Sequence, residues 1–309
     1  MGVKYSMKVI EKIKKYLYKP KFLKLKLDRS NIMRMDDKTY IELCFEENLG
    51  YKLDWNNIQT FNEKLQWLKL YNKNAFYTNM VDKYEVKKII ENKMGKEYVI
   101  PTIGVYNSWD EINFNSLPDK FVIKCTHDSG GVFICTNKEK LNKKSLRNRI
   151  NKKLKRNFFY NAREWPYKNV RPRIIIEKYM IDEYTSELRD YKFFCFNGKV
   201  KFFKIDFNRF TNHQANYYDT DGNLLEFGEK VCPPDFNAKL NMPYNLKKMI
   251  KLAEKISHNV PFIRVDFYEI NKKIFFGEFT FYPAGGFGKF IPEKWDKIIG
   301  DMLELPNKL

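Results

Sequence analysis

Histidine and cysteine are scarce, three and five in 309 residues, and no two cysteines stand as a C-x-x-C pair. With the cysteines odd in number and widely spaced, neither a zinc site nor a disulfide framework has its ligands. The phosphate loop G-x-x-x-x-G-K-[ST] is absent, which speaks against a P-loop fold. No apolar run approaches the roughly 20 residues of a membrane span. The first residues lack a signal peptide's apolar core, so a cytoplasmic protein is expected. An RNP-like strand and a basic zipper are also missing, and no nucleic-acid partner is expected.

What is present is positive charge and aromatic bulk. The formal net charge of +19 suits an anionic partner, either a membrane face or a small anionic substrate. Aromatic residues make up 17% of the chain, enough to build a packed core. Cys125, Cys135 and Cys195 fall inside strand-like runs and read as small core residues.

Residues 7–18 place Val9, Ile10, Ile13 and Leu17 at helical spacing among lysines. That basic amphipathic helix suits peripheral contact with the inner membrane face, or docking on the body of the protein. Helical patterning continues over 36–70, with a capping box from Thr60 to Glu63. Asp82-Lys83-Tyr84 opens a helix running to about Lys93, and a lysine in a first helical turn makes sense if an anion sits there.

A strand is expected over 98–106. The run FVIKCTHDSGGVFIC, from Phe121 to Cys135, reads as a strand delivering Lys124, a loop with Gly130 and Gly131, and a second strand. Free loop amides beside a lysine make a phosphate cradle. One helical stripe marks 137–159. Ile174-Ile175-Ile176-Glu177 is an apolar strand ending in a carboxylate. With the backbone of Lys178, Tyr179 and Met180 it can read the edge and amine of an adenine.

Residues 188–208 form a hairpin about the turn Asn197-Gly198. Pairing Phe196 with Lys199 would set Phe193 beside Phe202 and Arg189 beside Asp206. Residues 216–226 suit a turn or hairpin, 245–258 a helix, and 292–305 a closing helix.

The most informative stretch is Pro261–Gly288. Two β-branched and aromatic runs flank Asn271-Lys272-Lys273, which predicts a hairpin with a three-residue loop. Pairing Ile270 with Ile274 opposes Asp266 to Glu278 and Arg264 to Thr280. Like charges side by side are unfavourable unless a cation lies between them. Two carboxylates and a hydroxyl suit Mg²⁺, which brings phosphates with it.

In this order, the runs DKY (82–84), FVIKCTHDSGG, DYKFFCFNGK, RVDFY and GEFTFYPAGG resemble the ATP-grasp superfamily. More narrowly, they are similar to its TupA-like subgroup, related to the teichuronopeptide biosynthesis ligase. The resemblance covers about residue 35 to the end. It implies an α+β class and an ATP-grasp fold, with two α+β lobes sandwiching ATP and a helical N-terminal extension. The expected layout is a helical region over 1–75, a pre-grasp or N-terminal lobe over 76–117, a lid lobe over 118–180, and a C-terminal lobe with the metal site over 181–309.

The resemblance also implies roles. Lys83, Lys124 and Lys192 would hold ATP phosphates under a mobile loop at Gly130-Gly131. Glu177, with Lys178, Tyr179 and Met180, would bind adenine. Asp266, Glu278 and Thr280 would hold Mg²⁺, threonine standing where most of the superfamily has asparagine. Arg264 would be catalytic, stabilising developing charge. Glu183, Glu187 and Asp190 compete as the ribose acceptor.

The implied reaction joins a carboxylate to an amine through an acyl phosphate, in capsule or cell-surface polysaccharide synthesis. The carboxylate partner is a uronic-acid nucleotide sugar or glycan precursor, and the amine an amino acid or other amine. Arg209, His213 and Lys289 are candidate contacts to the anionic sugar. Two alternatives stand beside this reading. Asp219-Thr220-Asp221 is the D-x-D of a metal-dependent glycosyltransferase, although it is also turn chemistry. An ATP-grasp kinase would make ADP without an amine.

Overall fold

The computed structural model describes residues 29–182, 189–209 and 211–307. The helix expected over 7–18, and Glu183 and Glu187, lie outside the described residues. Two compact units are present, residues 1–55 and 56–309. In the first, α1 (Arg29–Arg34) leads to α2 (Asp37–Leu49). Asp36 caps α2 by accepting the amide of Thr39 at 2.9 Å, and Gly50 closes it in the left-handed region.

The second unit opens with α3 (Phe61–Tyr71), where the predicted capping box is formed. Thr60 Oγ1 accepts the Glu63 amide at 3.3 Å, and the Glu63 carboxylate accepts the Thr60 amide at 2.8 Å. Helices α4 (Phe76–Val81) and α5 (Glu85–Lys93) follow. The Asp82 carboxylate accepts the amides of Tyr84 and Glu85 at 2.8 and 3.3 Å, so α5 starts after Lys83. The expectation of Lys83 inside the first helical turn is corrected accordingly.

Strands β1 (Thr102–Tyr106), β2 (Phe121–Cys125), β3 (Val132–Cys135) and β4 (Ile174–Lys178) form an antiparallel sheet in the order β1-β4-β2-β3. Alternation puts Phe121, Ile123, Cys125, Ile174 and Ile176 into one core with Leu146 and Ile150 of α6 (Lys143–Leu154). Their strand neighbours Val122, Lys124, Ile175 and Glu177 therefore project from the opposite face. The single helix expected over 137–159 is shorter, and a separate turn, α7 (Phe159–Ala162), follows it.

The larger sheet has the order β11-β10-β5-β6-β7-β8. Its strands are β5 (Asp190–Phe196), β6 (Lys199–Phe207), β7 (Gln214–Tyr218), β8 (Leu224–Leu225), β10 (Phe262–Ile270) and β11 (Lys273–Thr280). Between β8 and β10 come β9 (Gly228–Glu229), which pairs with β12 (Phe290–Ile291), and α8 (Leu246–Ser257). Helix α8 packs on β5, β6 and β10, and α9 (Lys294–Asp301) packs on α3.

Both hairpins carry a bulge that the sequence pattern did not reveal. The turn between β10 and β11 has two residues, Asn271 (φ +51°) and Lys272 (φ +59°), and Ile270 pairs with Lys273, not Ile274. An extra residue at Gly277 restores the predicted pairs Asp266–Glu278 and Arg264–Thr280. In the β5–β6 hairpin Phe196 pairs with Lys199 as expected. A shift between Phe194 and Cys195 then opposes Phe193 to Phe203 and Asp190 to Asp206, correcting the expected Phe202 and Arg189 partners.

Residues directly opposite on neighbouring strands share a face. The pairings Glu278–Asp266, Asp266–Lys192, Lys192–Lys204 and Asp190–Asp206 therefore assemble one charged layer across four strands. Aromatic residues continue the same face: Phe194 stacks on Phe202 with centroids 4.6 Å apart, and Phe61 of α3 meets Phe262 edge-on at 4.9 Å.

Candidate active site

A cleft enclosing about 80 Å³ is lined by Lys83, Lys87, Lys124, Gly130, Glu177 and Glu278, among others. The smaller sheet supplies Lys124 and Glu177, and the larger supplies Glu278. Lys83 enters from the turn before α5, its amide bonded to the Thr126 carbonyl at 3.1 Å and its ammonium 3.6 Å from Glu278.

Glu177 is clamped between two lysines, Lys124 at 2.7 Å and Lys87 at 2.6 Å. Burial acts to raise its pKa, but the two ammoniums override this and hold the carboxyl at about 2. Lys87, in the first turn of α5 and four residues after Lys83, was not foreseen. The Lys178 amide donates to the Pro101 carbonyl at 2.9 Å, and Tyr179 and Met180 are half-buried just beyond β4.

Gly130 has φ +72° and open space where a side chain would stand. At Gly131 a β-carbon would meet the Asp128 carboxylate at 2.7 Å and the Lys153 ammonium at 2.8 Å. Those two groups pair directly with each other across the loop.

On the larger sheet, Arg264 donates from Nε and Nη2 to both oxygens of Asp266 at 2.7 Å and reaches Glu278 at 3.5 Å. Thr280 Oγ1 lies 3.4 Å from Glu278. Burial opposes the charge on Arg264, but Asp266 and Glu278 outweigh it and keep the guanidinium firmly protonated. Burial keeps the Asp266 pKa above the ordinary carboxylate value despite Arg264 and Lys192. At Glu278 burial is overcome by Lys83, Arg264 and Lys192, and the pKa is lowered. The Glu278 side chain is 42% exposed, so water screens part of that pull.

Lys192 is bonded to Asp190 at 2.9 Å and Asp206 at 2.5 Å, and Lys204 to Glu229 at 2.9 Å. Burial acts to raise the Asp206 pKa, but Lys204 and Lys192 draw it well down. Such pairing is what makes so many buried charges tolerable. Arg209 meets Asp190 at 2.5 Å, and His213 meets Asp206 at 3.5 Å, both at the exposed rim of the layer. The Asp190 carboxylate is thus engaged within the layer. Asp206, His213 and Cys232 also converge, but with Lys192 and Lys204 already on Asp206 a cation would be repelled. Lys289 lies beside β12, its carbonyl accepting the Lys230 amide at 2.9 Å. It joins no ion pair of the layer among the described residues.

Asp266 and Glu278 converge with the Thr280 hydroxyl beside them, the oxygen donors a hard divalent ion takes, and Mg²⁺ there would need Arg264 to withdraw from the two Asp266 oxygens it now holds. All five cysteines are free and buried, among them Cys125, Cys135 and Cys195, which were expected in the core. No helix among the described residues is long and apolar enough to cross a membrane.

The cleft thus lies between two antiparallel sheets, with Lys83, Lys87 and Lys124 around it and Glu278 on the facing sheet. A family model described as TupA-like ATPgrasp matches residues 63–304, and the chain belongs to that family. Its class is that of the ATP-grasp proteins.

Among solved structures, D-alanine–D-alanine ligase from Bacillus anthracis is similar at 16% identity and TM-score 0.39, covering 79% of this chain and 69% of its own. Phosphoribosylamine–glycine ligase from Thermotoga maritima is 12% identical at TM-score 0.38, covering 68% and 50%. N5-carboxyaminoimidazole synthetase from Staphylococcus aureus is 13% identical at TM-score 0.36, covering 74% and 53%. The chain thus spans about half to two thirds of the length of these proteins. No curated protein matches it.

Proposed function

We propose that this chain joins the carboxylate of a uronic-acid sugar or glycan precursor to an amino acid or other amine, in cell-surface polysaccharide synthesis. The observation behind the ligase chemistry is the convergence of Asp266 and Glu278 on Arg264, with Lys83 against the far side of Glu278. On this reading 76–117, 118–180 and 181–309 act as pre-grasp, lid and C-terminal lobes, in a cytoplasmic protein that touches the inner membrane face through residues 7–18.

The substrate carboxylate attacks the γ-phosphoryl group of ATP, releasing ADP and forming an acyl phosphate. The amine then attacks the acyl carbon, the carbon–nitrogen bond forms, and phosphate leaves. Asp266, Glu278 and Thr280 would hold Mg²⁺, which supplies charge neutralisation at the phosphates. Arg264 stabilises charge on the transferred phosphoryl and on the tetrahedral carbon. Lys83, Lys124 and Lys192 hold phosphate oxygens, and the Gly130-Gly131 loop covers them to exclude water. Glu177 accepts from the adenine amine, with backbone from Lys178 to Met180 on the ring edge. Because Lys124 and Lys87 now hold Glu177, phosphates drawing Lys124 away would free that carboxylate for adenine. Arg209 and His213, half-exposed at the rim, and Lys289 suit an anionic sugar.

The test is an ADP-release screen of nucleotide-linked uronates against amino acids, with product mass read directly. The expected gain is one amine minus water. Phosphate gain alone would indicate a kinase, and hexose gain a glycosyltransferase.

A further inference from the structure

The two lysines that clamp Glu177 take different oxygens. Lys87 Nζ lies 2.6 Å from Oε1, and Lys124 Nζ lies 2.7 Å from Oε2. They also differ in how firmly they are held. Lys87 donates a second bond to the Ile100 carbonyl at 2.6 Å, and its side chain is only 12% exposed. It rises from the first turn of α5, whose start is capped by Asp82, itself paired with Arg173 at 2.7 Å. Lys124 stands near the end of β2, where the chain enters the Gly130-Gly131 loop.

The cavity that these three side chains share is also lined by Val99, Ile100, Tyr268 and Phe276. Apolar and aromatic walls with a few placed polar groups are what a nucleobase requires. In that cavity the character of one oxygen, Glu177 Oε2, decides which base edge is welcome. A carboxylate oxygen only accepts hydrogen bonds, whereas a protonated carboxyl both donates and accepts.

We infer that Lys87 stays on Oε1 when nucleotide binds and sets the base specificity of the site by keeping Oε2 a pure acceptor. The inference rests on the reading in which Glu177 accepts the adenine amine and Lys124 moves to the phosphates. Once Lys124 has moved, Lys87 is the ammonium that remains on this buried carboxylate. With Lys87 in place Glu177 stays ionised, so Oε2 takes an amine and repels a carbonyl. Without it the desolvated carboxyl takes up a proton from solvent and can donate to a carbonyl. Lys87 acts through Glu177 and not on the base, so it is a positioning residue.

Hypoxanthine carries a carbonyl where adenine carries its amine, so Mg·ADP and Mg·IDP are the probes. Their calorimetric titration into the full chain requires neither the carboxylate substrate nor the amine. Wild type should bind ADP about a hundredfold more tightly than IDP, and Lys87→Met should cut that ratio about tenfold. Lys87→Arg keeps a cation on Oε1 and should keep most of the ratio. Thermal melts check folding, and Lys87→Gln carries the same expectation if Lys87→Met does not fold. A lysine that merely supports the fold would weaken both nucleotides alike, so an unchanged ratio in the folded variant would overturn the inference. Glu177→Gln separates the two levels of the argument, because its amide both donates and accepts and should also lose the preference. Preference lost there but kept in Lys87→Met sinks the role of Lys87 alone. If wild type shows no preference, or Glu177→Gln retains it, the adenine reading of Glu177 falls and the inference falls with it.

Discussion

Asp266 and Glu278 face each other only because Gly277 lies between the turn and the pair. Counted from the two-residue turn, Asp266 would oppose Gly277 itself. The bulge adds one residue and brings Glu278 level. A β-carbon on Gly277 would come within 3.1 Å of both the Asp266 carbonyl and the Tyr268 ring.

Gly277→Val should therefore strain the bulge and displace Glu278. Overpacking of this kind costs about 1–3 kcal/mol. Thermal melts should show a lower Tm than wild type, and ADP release should fall about tenfold beyond what lost folded protein explains. An unchanged rate would mean that the opposition of the two carboxylates does not matter to the chemistry.

The two candidate metal motifs predict opposite mutants. Asp219 accepts the amides of Asp221 and Asn223 at 2.9 and 2.8 Å and the Asn223 side chain at 2.9 Å, so its carboxylate is spent on the turn. Asp219→Asn should keep nearly full ADP release, whereas Glu278→Gln should lose about a hundredfold or more. The reverse pattern would favour the glycosyltransferase reading.

The charged layer is legible as a repeated spacing. D-x-K at 190–192, K-x-D at 204–206, R-x-D at 264–266 and E-x-T at 278–280 each interrupt an aromatic strand with polar residues two apart. Period two puts each pair on one face, and strand pairing then aligns them. Read this way, Lys204 and Asp206 could have joined the expected site. The bulges were not legible, since one extra residue in a ladder leaves no mark on alternation when a glycine or an exposed lysine absorbs it.

Acid should weaken the lysine clamp on Glu177. Its folded pKa of about 2 lies below the ordinary 4.5. The clamp's contribution is thus complete above pH 4.5 and is lost as the pH falls towards 2. The difference corresponds to about 3 kcal/mol. Denaturant melts of wild type and Glu177→Gln, run from pH 5 to pH 2.5, should show the gap between the two proteins shrinking as the pH falls. A gap that stays constant would mean that Glu177 is not held as an ion between Lys87 and Lys124.

Three side chains along α3 hold the carbonyls of the loop that follows β11. Asn62 donates to Gly288 at 2.8 Å, Gln66 to Gly286 at 2.5 Å and Lys69 to Gly285 at 2.6 Å. Their spacing of four and three residues places them on one helical face. The loop needs such support, because Ala284, Gly285 and Gly286 all have positive φ. Gln66→Leu keeps the bulk but leaves the Gly286 carbonyl without its donor, at a cost of about 1–3 kcal/mol. The Tm should drop by about 2–8 °C. If the loop shapes the place where the amine meets the acyl carbon, the amine KM should rise while the ATP KM stays near wild type. A variant that loses stability but keeps both constants would show that α3 supports the fold without shaping the site.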